Sequence, residues 1–137
     1  MRQADVRALA AATHAEDRLV RGLPAVGFGD LTEQQQEANL DSARFAPLLL
    51  AALGLQIREG THPGSRTALT AEELDAGARL EHLRWCRFTR RVGRTEHPDL
   101  VPWDELDEAT RELDRLRVRA LPRLLAELGY SVVDAPL

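Results

Sequence analysis

The sequence predicts an all-α protein in which two pseudo-symmetric helix–loop–helix repeats pack as one domain, and three observations predict it. Apolar residues recur at helical spacing along most of the chain. Helix starts and stops punctuate that pattern, with Thr-x-x-Glu at Thr70 and glycines at Gly54 and Gly129. Residues 28–57 also overlay residues 103–132 without a gap at an offset of 75, with 10 of 30 positions identical.

Those identities include Pro47/Pro122 and Gly54/Gly129. A proline inside a helix removes a backbone donor and costs about 3 kcal/mol when nothing compensates, so a kink at matched places implies the same fold twice. The leading helices correspond at an offset of 68, which sets His14 on His82, Asp17 on Trp85 and Val20 on Phe88. The second unit therefore carries seven extra loop residues. The expected organisation is unit 1 at residues 1–57, a linker at 58–69 and unit 2 at 70–133.

A chain of 137 residues fits one domain and can bury roughly two thirds of its unfolded surface, enough to fold without metal or disulfide staples. With 44% hydrophobic and only 4% aromatic residues, its core is built from Leu, Ala and Val. All 18 basic residues are arginines, and against 22 acidic residues they leave a charge of −4, which argues against a broad nucleic-acid or anionic-membrane footprint. A single cysteine and an N-terminus without an apolar run point to a cytoplasmic protein.

In chain order, Val6, Leu9, Ala10, Thr13 and Val20 give the first amphipathic helix, to about Arg21, with Asp17 on its apolar side. Glycines and Pro24 break it; Thr32 caps a renewed helix, with a boundary expected at Asn39 and Asp41 and a stop at Gly54. The polar stretch around Gly60 and Pro63 reads as the linker. The capping box at Thr70 starts a helix to about Val92, with His82, Cys86 and Thr89 on one flank and Arg84, Arg87 and Arg91 as a cationic stripe on the other. Asp107 caps residues 108–113, and a last helix runs from about Asp114 to Leu128 with Pro122 inside it.

Glu81-His82-x-x-Trp85, then His97-Pro98-x-Leu100-Val101-Pro102-Trp103-x-x-Leu106, Asp114 and the closing Leu128-Gly129-Tyr130 resemble a ryanodine-receptor-type (RyR) domain. That module occurs in tandem in ryanodine receptors and in bacteria alone or joined to nucleotide-binding and transport-regulatory domains. The resemblance covers the second unit. The first keeps His14, Phe28, Leu31, Asn39 and Gly54 and resembles a degenerate copy. Gly93 is followed by Arg94-Thr95-Glu96 where the family has a Gly-Trp pair, so stacking by an aromatic at position 94 is not available.

The resemblance implies a helical module that binds small ligands or partners, nucleotides among them. The expected site lies between the units, where His82 and Trp85 contact a base or sugar, Arg91 and Arg94 neutralise phosphate, and His14 and Asp17 contribute from the opposite unit; His97 and Trp103 line the adjoining loop. No histidine pair has metal-ligand spacing, and neither a phosphate loop nor a nucleophile elbow occurs, so neither catalysis nor a cofactor is expected. The alternative is a protein–protein adaptor or dimerisation module; a weaker one is a small hydrolase or transferase using His82 and Asp17.

Overall fold

The computed structural model describes residues 1–136 and is predominantly helical. In order the elements are α1 (Gln3–Val20), a 3-10 turn (Phe28–Asp30), α2 (Glu33–Ala52), β1 (Leu55–Glu59), α3 (Ala71–Arg91), a second 3-10 turn (Trp103–Glu105), α4 (Glu108–Arg119), α5 (Leu121–Glu127) and β2 (Tyr130–Asp134). Local chemistry sets the starts. Thr32 and Gln35 form a reciprocal capping box on α2, Thr70 and Glu73 form one on α3, and Asp107 accepts from the Thr110 amide at 2.7 Å on α4.

The chain is not strictly all-α. After Gly54 (φ +80°) and Gly129 (φ +89°) turn the chain out of their helices, β1 and β2 pair antiparallel with Ile57 opposite Val132. Leu55, Ile57, Tyr130 and Val132 share one face of this ribbon and bury it against the helices. Its short length and adjacency to helix stops hid it, because a few apolar residues after a C-cap carry no periodicity of their own.

Three further expectations are corrected. The stretch taken for a linker begins inside β1, and its remainder is laced down: the Arg66 amide donates to the Val132 carbonyl at 2.7 Å while its guanidinium holds Glu73 and Asp134. No helix boundary occurs at Asn39; α2 runs through it, the side chain donating to the Gln35 carbonyl at 3.0 Å. The helix expected over residues 114–128 divides at Ala120, so Pro122 sits in the first turn of α5, where a missing amide costs nothing, whereas Pro47 lies inside continuous α2.

The core runs through Leu9, Leu49, Leu50, Leu55, Val118, Leu125 and Val132, all at most 2% exposed. α1 packs on α2 and α3 on α4, while α2 meets α3 and α1 meets α4 across the middle. Gly77 permits the approach of α4 to α3, since a Cβ there would come within 2.8 Å of a Val118 methyl. Among the described residues no helix is long and apolar enough to cross a membrane.

Candidate functional site

α3 supplies the centre. His82 and Trp85 lie one turn apart on it, their rings stacked at 5.9 Å, and His97 from the following loop meets the Trp85 ring edge-on at 4.8 Å. The His82 Nε2 donates to the Val101 carbonyl at 2.7 Å, which places a proton on that nitrogen. Its other nitrogen, Nδ1, is left 3.9 Å from the Asp114 carboxyl on α4. Burial, then repulsion from Glu81, outweighs the pull of Arg117 and Arg84 and raises Asp114 to about 7, so near neutrality it can both donate and accept.

Behind this group lies a buried ion network. Arg84 clasps Glu81 through Nε and Nη2, the closest contact 2.8 Å, and reaches Asp41 of α2 at 2.8 Å; Asp41 in turn accepts from Arg91 at 3.1 Å. Burial alone would lower the Arg84 guanidinium, but Glu81 and Asp41 leave it above the ordinary arginine value. Arg117 of α4 stands 3.5 Å from Glu81 and 3.8 Å from Asp17, which also pairs with Arg21 at 3.2 Å.

Two adjoining cavities open between the halves, and Asp17, Trp85 and Arg117 line both. The first, about 270 Å³, adds Glu81, His82, His97, Asp99, Thr110 and Asp114. The second, about 230 Å³, adds His14, Gln35, Asn39, Arg84, Thr89 and Arg94. The first is thus rich in carboxyl groups, whereas the second carries three guanidinium groups, with the indole at their shared wall. Of the three, Arg84 and Arg117 are already held by carboxylates, and Arg94 is not paired among the described residues. The His14 Nε2 is buried without a hydrogen-bond partner, and burial followed by the nearby Arg18 lowers its pKa.

Six of the eight expected residues, His14, Asp17, His82, Trp85, Arg94 and His97, line this pair of cavities. Arg91 does not; it pairs with Asp41, lies over Phe88, and lines a groove between α2 and α3 instead. Trp103 does not either: it is buried, 6.2 Å from His82, with Arg79, Arg111 and Arg115 over its ring. The expected cationic stripe is broken as well, because Arg84 is 6% exposed and neutralised. Arg117, Asp99 and Asp114 were missed as site residues; Asp114 belonged to the resemblance pattern, whereas nothing in the spacing of Arg117 separates it from other helix-surface arginines.

Cys86 is buried 3.4 Å from the His82 Nε2, and burial pushes its thiol upward, as for a small packed hydrophobe. Among the described residues no group of three His, Cys, Asp or Glu side chains is arranged to hold a metal ion. No known family model matches the chain, and no curated protein is significantly similar to it.

Proposed function

We propose that the chain is a recognition module of the RyR-repeat type, two copies of one helix–loop–helix–strand unit in a single domain, that binds a nucleotide or nucleotide-derived signal in the cleft between them. The two-copy reading is supported by element bounds: the 3-10 turns and the two strands each recur at an offset of 75. It is also supported by the cavities. With offsets of 68 on the first helix of each unit and 75 beyond it, His14, Asp17, Gln35 and Asn39 of one wall correspond to His82, Trp85, Thr110 and Asp114 of the other.

The observation that carries the ligand class is the indole of Trp85 at the wall shared by an acidic and a basic cavity. A base stacked on Trp85 directs its N–H donors to Asp99 and Asp114, while its phosphate turns towards Arg94 and Arg117. Arg117 takes the place first assigned to Arg91. Binding, not turnover, is the mechanism, and the ligand either signals to a separate partner or is sequestered.

Calorimetric titration with a panel of mono-, di- and cyclic nucleotides tests this. At least one gives a micromolar Kd, Trp85→Ala weakens it at least tenfold, and Arg94→Ala weakens a diphosphate more than its nucleoside. Absence of heat across the panel sinks the reading, as does binding that ignores Trp85→Ala.

A further inference from the structure

Next to the second cavity, with which it shares Arg84 and Phe88, α2 and α3 leave a groove of about 510 Å³, the largest of the cavities described. Its α2 wall is Asp41, Arg44, Phe45, Leu48 and Ala52; its α3 wall is Leu80, Leu83, Arg84, Arg87, Phe88 and Arg91. Both sets are single stripes at helical spacing, so the two helices present parallel rows to the same channel. Leu48 is 65% exposed and Leu83 59%, although α2 already buries Ala43, Ala46, Leu49 and Leu50 on its other side. A helix apolar on both sides is expected to be covered on both.

The charge around this apolar floor is cationic in excess. Asp41 is the sole carboxylate in the lining and is bound by Arg84 and Arg91. Arg44, exposed on the α2 rim, is shared with Glu37 at 2.8 Å, and Arg87 is exposed on the α3 rim with no carboxylate partner among the described residues, so the cationic excess is carried by Arg87 and Arg91 on α3. The matching face of the other half is closed instead: Arg123, at the place of Leu48, pairs with Glu16, at the place of Arg84, at 2.6 Å.

We propose that the α2–α3 groove docks an amphipathic helix of a partner protein, its leucine-type stripe on Leu48 and Leu83 and its acidic flanks against Arg44, Arg87 and Arg91. A second copy of this chain is disfavoured as occupant, because a two-fold contact through the groove sets arginine rims against arginine rims.

The probe is a fluorescent helical peptide of about four turns carrying leucines at i, i+4, i+7 and i+11 with glutamates flanking them, compared with a twin in which lysines replace the glutamates. By anisotropy the acidic peptide binds with a micromolar Kd at least tenfold below that of its twin and weakens as salt rises; Leu83→Glu and Arg87→Glu each weaken it at least tenfold. Both positions are exposed, and unchanged circular dichroism of the variants separates lost docking from lost folding. Failure of both peptides to bind, equal binding of the two, or indifference to both substitutions overturns the proposal. So does a dimer by light scattering that Leu83→Glu converts to monomer, which assigns the groove to a second copy.

Discussion

In the α1–α2 half, His14 keeps a buried Nε2 without a partner; in the α3–α5 half, His82 at the corresponding place donates from that nitrogen to the Val101 carbonyl at 2.7 Å. The helices are alike, and the loops behind them are not. The seven additional residues let the second loop fold back over α3, bringing Val101 to His82 and His97 to Trp85. In the first half the corresponding loop is short and mostly exposed. The same contrast recurs one turn on, where α3 has the buried Glu81–Arg84 pair and α1 has Thr13 and a half-buried Glu16 paired to the exposed Arg123. One unit spent its polar positions on an internal network, and the other on surface pairs.

The largest test of that contrast is Arg84→Met. Leaving Glu81 buried without its clasping cation costs about 3–5 kcal/mol of unfolding free energy in urea. Glu16→Gln, at the matching place, costs under about 1 kcal/mol, as exposed pairs do. Equal costs would erase the distinction between the halves.

Asp114 corresponds to Asn39, and only the acid titrates. Because the folded state raises Asp114 from 3.8 to about 7, it retains a proton that the unfolded chain gives up above about pH 4. Its contribution is therefore full below that pH, declines as pH rises towards 7, and is constant beyond. Asp114→Asn removes the decline: in thermal or urea unfolding the variant matches the parent near pH 4 and exceeds it at pH 8 by on the order of 4 kcal/mol. A parent whose stability does not fall over that window relative to the variant refutes the assignment.

Gly77 corresponds to Leu9, a fully buried side chain, so the halves fill the same place oppositely. Gly77→Ala drives a Cβ against Val118 and costs about 1–2 kcal/mol despite the helix-favouring change. The smallest effect separates the prolines. Pro47→Ala restores a donor inside α2 and stabilises by about 1 kcal/mol, while Pro122→Ala, in the first turn of α5, gives no gain because only a buried ring is lost.

Much of the fold was legible because it rests on local chemistry. Thr32, Thr70 and Asp107 start helices and Gly54 and Gly129 stop them through side chains and dihedrals within a few residues of the event. The cleft was legible in part, through His82, Trp85 and the correspondence that set His14 and Asp17 opposite them. The ribbon was not, since β1 is defined by a partner more than seventy residues away.

The sequence alone determined where most helices begin, where Gly54 and Gly129 stop them, that residues 28–57 and 103–132 are identical at 10 of 30 positions at a fixed offset, and that charge is carried by arginine and carboxylate. All of these follow from near neighbours or from identity of residue type. Only the tertiary structure decided which charges are buried and which remain exposed. Arg84 and Arg91, seven apart on one helix, read as equals until α2 packs alongside. Asp41 then reaches both, but Glu81 draws Arg84 into the interior while Arg91 stays 63% exposed on the groove. Trp85 likewise stands at a wall between two cavities that Asp17 of α1 and Arg117 of α4 line with it.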